Sequence, residues 1–208
     1  VTENAYIPVW GTYITTPTAT KEFAKVNVQT KIVLPEGADA SKYSVKTSVW
    51  NPNGQKLTEQ TIPLSQIKYN DNSLSQEFII QTPTLWSPDM PALYSAETRL
   101  YEGDQLKDIY TTPFGIRSIE IIPNKGFFLN GEKTVFKGVC NHHDLGPLGA
   151  AVNDAAIRRQ IRILKDMGCN AIRTSHNMPA PELVRACDEM GMMLMVESFD
   201  EWNKAKCA

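Results

Sequence analysis

Hydrophobic positions follow two different periods along the chain, and the change falls near residue 119. Before it, inward-facing parity repeats every second residue: Val26, Val28, Ile32 and Leu34; then Tyr43, Val45 and Val49; then Tyr94, Ala96, Thr98 and Leu100. Period two turns one face of an extended segment to a core and the other to solvent, so these runs predict half-buried strands. Turn chemistry separates them. Asn51-Pro52-Asn53-Gly54 and Glu102-Gly103-Asp104 supply residues that tolerate the positive φ of tight hairpins, and Trp86-Ser87-Pro88 reads as a corner. Short strands at this spacing, with no helical period among them, predict an antiparallel immunoglobulin-like β-sandwich over residues 1–118.

Beyond residue 119 the pattern predicts alternating strands and helices. Ile119 to Ile122 and Phe127 to Leu129 flank Pro123-Asn124-Lys125-Gly126 as a short hairpin, and Thr134 to Cys140 reads as a nearly continuous apolar strand. Asn153 or Asp154 caps a helix whose Ile157, Ile161 and Leu164 share a face; Arg158, Arg159, Arg162 and Lys165 face away, and Gly168 stops it. Asn170 to Thr174 is the second strand. Pro181 opens a helix with Leu183, Cys187 and Met190 as its stripe, Gly191 ends it, and Met192 to Val196 is the third strand. Crossovers of this length make a right-handed parallel βαβαβ unit over residues 119–208, the first part of a (β/α)8 barrel.

In a parallel βα array all strands end on one rim, where side chains far apart in sequence converge. All three histidines fall there: His142 and His143 after the first strand and His176 after the second, beside Arg173. Glu197, Asp200 and Glu201 follow the third. Of the adjacent histidines, His142 is assigned to the site and His143 to structural hydrogen bonds. Arg173 either touches ligand or pairs with a carboxylate such as Glu197 to orient the rim. Asp200 reads as a solvated loop charge, and the methionines at 190, 192, 193 and 195 as core packing.

Composition narrows the partners. Lys+Arg 21 against Asp+Glu 23 leaves a net charge of -2, with no basic run to follow phosphates, so no nucleic acid is expected. No apolar stretch approaches the roughly 20 residues of a membrane helix, so no membrane partner is expected either. A chain opening at Val1 without methionine reads as a mature or excised segment. Cys140, Cys169, Cys187 and Cys207 lack C-x-x-C spacing and are expected as free thiols, the first three as small core residues.

Four ordered motifs then carry a family resemblance over nearly the whole chain. Phe114-Gly115-Ile116-Arg117-Ser118-Ile119-Glu120 and Phe128-Leu129-Asn130-Gly131-Glu132, with Lys137-Gly138-Val139 running into Asn141-His142-His143-Asp144, resemble the barrel entry of family 2 glycoside hydrolases. Asn170-Ala171-Ile172-Arg173-Thr174-Ser175-His176-Asn177 is similar to the second-strand motif of that family. Cys187-Asp188-Glu189-Met190-Gly191 before Val196-Glu197 resembles the end of its second helix and third strand, and Leu85-Trp86-Ser87-Pro88 with Pro91 and Leu93-Tyr94 its last sandwich strands.

The resemblance implies a retaining exo-β-glycosidase, most often a β-galactosidase, acting on a β-galactoside or related carbohydrate. His142 and His176 match histidines that contact sugar hydroxyls, Arg173 an arginine supporting the rim around the nucleophile, and Glu197 a buried acidic residue. Glu201 matches a carboxylate that binds a divalent cation, Mg2+, in some members, although Trp202-Asn203-Lys204 departs from the pattern by offering no histidine beside it. Retaining hydrolysis needs two carboxyl groups about 5 to 5.5 Å apart. In the family these are glutamates after barrel strands four and seven, the first preceded by asparagine; no Asn-Glu dipeptide occurs here, so both are expected beyond Ala208 and the chain alone is expected to be inactive. Three strands cannot close a barrel of eight, which predicts exposed edges and a homo-oligomer or domain-swapped dimer.

Two other classes compete. A carbohydrate-binding or protein-docking module would use Trp10, Trp50 and Trp86 as a platform, although sandwich tryptophans are more often core or corner residues. A metal hydrolase would use His142, His143 and His176, although adjacent histidines on an extended strand point opposite ways.

Overall fold

The computed structural model describes residues 3–66 and 73–198. The chain forms two compact units, one of Val1–Leu85 with Ala92–Ile119 and one of Trp86–Pro91 with Glu120–Ala208.

The first unit contains β1 (Thr12–Ala19), β2 (Phe23–Lys31), β3 (Tyr43–Trp50), β4 (Lys56–Pro63), β5 (Ser73–Gln81), β6 (Tyr94–Glu102) and β7 (Gln105–Phe114). They form two antiparallel sheets, ordered β1-β2-β5 and β4-β3-β6-β7. This is an immunoglobulin-like sandwich, and the predicted parities point inward: Val26, Val28, Val45, Val49 and Leu100 are fully buried. Each such side chain contributes roughly 1.5–3 kcal/mol by leaving water. The β3–β4 turn closes as its composition requires. Asn51 Oδ1 accepts from the backbone N–H groups of Asn53 at 2.9 Å and Gln55 at 3.0 Å, while Gly54 takes φ 76°.

A polar layer interrupts that core. Thr47 and Thr98 are register partners on β3 and β6, and the Thr47 hydroxyl donates to Gln76 Oε1 on β5 at 2.6 Å. Gln76 Nε2 then donates to the Gln60 carbonyl at 3.0 Å, so a buried amide is held at both ends. Apolar clusters built around Phe78 and Ala96 and around Leu74 and Leu100 form the rest of the interior.

β8 (Ile119–Ile122) starts at the last residue of the first unit and, with β9 (Gly126–Leu129) and β10 (Glu132–Lys133) of the second, makes a small sheet in the order β10-β9-β8. Then come β11 (Gly138–Asn141), α1 (Asp154–Asp166), β12 (Ala171–Thr174), α2 (Pro181–Met190) and β13 (Met193–Met195). β11, β12 and β13 form one parallel sheet in sequence order, the start of a (β/α)8 barrel. Gly138 permits the first pairing, because a Cβ there would sit 2.2 Å from the Ala171 carbonyl oxygen. Asn153 is the α1 cap, its side chain accepting from Ala156 N–H. Ile157, Ile161 and Leu164 pack with Ile172, Ala186, Cys187 and Met192 between helices and sheet.

Four expectations are corrected. Thr134 to Lys137 is not strand: Asn170 Nδ2 donates to the Val135 carbonyl at 2.9 Å and Asn170 Oδ1 accepts from Lys137 N–H at 2.8 Å, so a side chain takes the bonds a ladder would use. Lys165 does not face away. Its ammonium donates to the carbonyls of Pro88 at 2.8 Å, Met190 at 2.7 Å and Gly191 at 3.2 Å, because its long apolar stem reaches around the helix end. The corner containing Trp86, which periodicity assigned to the sandwich, is part of the second unit: Trp86 Nε1 donates to the Asp188 carbonyl at 2.8 Å and Asn130 Nδ2 to the Trp86 carbonyl at 3.0 Å. Cys140 is exposed rather than core, since its parity on β11 opposes that of Val139, which packs against the helices.

Candidate functional site

The site is assembled from three consecutive strand ends. β11 and β12 pair with Cys140 opposite Arg173 and Asn141 opposite Thr174, and β12 pairs with β13 with Arg173 opposite Met195. The first ladder continues one step past the strands, Ser175 N–H donating to the Asn141 carbonyl at 2.9 Å. Thr174 Oγ1 accepts from Glu197 N–H at 3.1 Å, which ties the chain after β13 to the end of β12. His142, His176 and Glu197 therefore leave their strands at one level.

Their side chains meet. Arg173 Nη2 donates to Glu197 Oε1, and His176 Nδ1 lies 3.2 Å from Glu197 Oε2. Both oxygens of the carboxylate are thus committed. The His142 ring stands edge-on to that of His176, with centroids 5.3 Å apart and planes at 78°. A carboxylate against Nδ1 favours a proton on that nitrogen. The side chain of Glu197 is 23% exposed, half-buried rather than buried as expected, and that of Arg173 is 39% exposed. Of the two readings of Arg173, the pairing with Glu197 is the one observed.

Sequence reasoning missed Cys140. Arg173 Nη1 donates to Cys140 Sγ at 3.4 Å. The guanidinium, and after it the Ser175 hydroxyl, holds the thiol below the ordinary cysteine range. Ser175 Oγ is itself buried and makes no hydrogen bond of full geometry, so its effect on the sulfur is the weaker of the two. The available signal was parity: Cys140 and Arg173 have matching places in neighbouring parallel strands, so their side chains share a face.

His143 lines a cavity of about 70 Å3 together with His142, and Asn141, Ile157, Thr174 and Leu183 are among its other walls. No group of three or more His, Cys, Asp or Glu that would hold a metal occurs among the described residues. Asp200, Glu201, the residue matched to the family cation ligand, and Cys207 lie outside the described residues. Of the three tryptophans proposed as a platform, Trp86 is buried at 1% exposure and offers no face to a sugar, whereas Trp10 is 74% exposed.

Residues 6–117 match the family described as Glycosyl hydrolases family 2, and residues 120–204 match its TIM barrel domain. The chain belongs to glycosyl hydrolase family 2. Among curated family 2 relatives, it is 43% identical over 199 residues to Beta-galactosidase BoGH2A of Bacteroides ovatus, covering 96% of this chain and 23% of that protein. It is 37% identical over 193 residues to a protein named putative beta-glucuronidase from Formosa agariphila, covering 92% of this chain and 18% of the other. A family 2 member from Bacteroides cellulosilyticus superposes with a TM-score of 0.90 at 36% identity, over 100% of this chain and 27% of that one. A beta-glycosidase from Bacteroides vulgatus gives 0.87 at 35%, over 99% and 25%. The family 2 chain described here spans about a quarter of the length of these relatives.

Proposed function

We propose that this chain supplies part of the sugar-binding rim of a retaining exo-β-glycosidase of the β-galactosidase type, with His142, His176, Arg173 and Glu197 as its substrate-side residues. The observation that carries the reading is the Glu197 bridge: one carboxylate holds a guanidinium and an imidazole, and a second imidazole packs edge-on to the first. Imidazole nitrogens are hydrogen-bonding groups of the kind that recognises sugar hydroxyls. The charge of Arg173 is already answered by Glu197, so this rim favours a neutral hexose over a uronate.

Glu197 is not the nucleophile in this reading. A nucleophilic carboxylate needs one oxygen directed at the anomeric carbon, and both oxygens of Glu197 are engaged. The acid/base and nucleophile are glutamates outside these 208 residues, so the isolated polypeptide does not hydrolyse glycosides. If Mg2+ is used, Glu201 is its ligand on this chain.

The test uses the full polypeptide that carries this chain. It is assayed on nitrophenyl β-galactoside, β-glucuronide and β-mannoside, with the anomeric form of the first product read by NMR. The expected result is preferential β-galactoside hydrolysis with retention, with a loss of about 10–100-fold in kcat/KM for His142→Ala and for His176→Ala. Activity untouched by both substitutions would remove these histidines from the site. The module reading makes the opposite forecast, galactose binding that survives both histidine substitutions and fails in Trp10→Ala.

A further inference from the structure

Three side chains of the second unit, Cys140, Arg173 and Glu197, meet near the ends of β11, β12 and β13. Cys140 and Arg173 are register partners, and Arg173 pairs in turn with Met195. Glu197 lies two residues beyond Met195, past the end of β13, and its carboxylate meets the Arg173 guanidinium. The guanidinium joins the other two, Nη1 donating to Cys140 Sγ at 3.4 Å and Nη2 to Glu197 Oε1.

A guanidinium is a flat fork of donors on a flexible stem. With one acceptor it can pivot about that bond; a second acceptor, on a different segment of the chain, fixes its plane. The thiol does not fill the core between helices and sheet, because Cys140 lies outside the apolar cluster that contains Cys187.

We propose that Cys140 is a positioning residue: its sulfur is the second anchor that fixes the plane of Arg173 and, through Glu197, the ring of His176. This deepens the reading of the rim as a sugar site and rests on it. The depressed thiol pKa agrees, since the same guanidinium stabilises negative charge on sulfur. Serine keeps an acceptor at this position, whereas valine keeps the volume and removes it.

A double-mutant cycle in the full polypeptide tests the proposal. Cys140→Val, Cys140→Ser, Arg173→Lys and the double variant Cys140→Val/Arg173→Lys are assayed for kcat and KM on the best nitrophenyl β-glycoside, with thermal melts alongside. The expected loss for Cys140→Val is about tenfold in kcat with Arg173 present and less than about twofold once Arg173 is lysine. Cys140→Ser stays within about threefold of wild type. Equal loss in both backgrounds, or none in either, overturns the proposal. If Cys140→Val does not fold, Cys140→Ala takes its place in the same cycle.

Failure of the functional reading is separable from failure of the anchor. If the wild-type polypeptide hydrolyses no β-glycoside, the sugar-site reading falls, and the anchor is judged by alkylation of Cys140 at neutral pH, followed by peptide mass mapping. Alkylation slows in Arg173→Gln when the contact exists, and an unchanged rate refutes it.

Discussion

The sandwich and the βα unit treat polar groups in opposite ways. In the sandwich, Thr47, Gln76 and Thr98 lie inside and bond one another and the Gln60 carbonyl, while charges such as Lys46, Lys56 and Glu59 pair on the surface. In the βα unit the interior between helices and sheet is apolar, and polar chemistry collects where strands end. A polar network enclosed between two sheets satisfies itself and has nothing left for a ligand. A network on an open rim fixes its members' positions, so in one chain the enclosed polar cluster specifies the core and the open one orders the strand-end side chains.

The sharpest way to separate the two is to damage each alone. In the full polypeptide, Leu100→Ala, in a fully buried position on β6, is expected to cost about 2–5 kcal/mol of stability in denaturant melts while leaving kcat per folded molecule unchanged. A fall in kcat beyond the folded fraction would mean that the sandwich core reaches the site chemistry. Glu197→Gln is expected to do the reverse. It should lower kcat/KM by about 10–100-fold, since it removes the charge shared by Arg173 and His176, yet shift stability by less than about 1 kcal/mol, because the pair is partly exposed.

The same contrast governs association. Val135 at 64%, Phe136 at 43%, Met195 at 54% and Val196 at 45% exposure lie in the βα unit. The isolated 208-residue polypeptide is therefore expected to run larger than a monomer in light scattering, and Val135→Lys with Met195→Lys to restore the monomer mass. A monomer before substitution removes the apolar surface as a self-association site.

Smaller effects come from pH. Burial lifts the Cys187 thiol to about 12, so the folded state holds that proton more tightly than the unfolded chain. The associated stability is present below the ordinary cysteine range and is lost as pH rises towards 12; Cys187→Ala should flatten this alkaline slope. In the sandwich, Lys56 and then Lys46 hold Glu59 down to about 2 from the ordinary 4.5. Its contribution is present above 4.5 and is lost as pH falls towards 2, so Glu59→Gln should remove a shallow acid slope, small because the pair is exposed.

Strand parity in the sandwich and the helical stripe of α1 were legible because each is a local period that burial directly enforces. The gathering of His142, His176, Arg173 and Glu197 was legible from strand ends alone, since parallel topology puts all those ends on one rim. Three features were not. The apolar run at Thr134–Lys137 looked like strand because a sequence does not show that the Asn170 side chain captures its backbone groups. Lys165 looked solvated because its polarity hid the reach of its stem to three carbonyls. Cys140 looked like core because alternation says that neighbouring side chains oppose each other without saying which face is filled by helices.

The clamp of Lys165 on Pro88, Met190 and Gly191 bears on how such a gene can be cut and recombined. A hexapeptide, Trp86–Pro91, interrupts the sandwich sequence yet belongs with the barrel strands. A crossover placed at the apparent junction near residue 119 would give the barrel a foreign hexapeptide, with the Trp86 indole that donates to the Asp188 carbonyl replaced by whatever the donor sandwich carries. Exchange between homologues should thus succeed when residues 86–91 travel with the barrel and fail when they do not, and a library of chimeras scored for soluble expression would show that linkage.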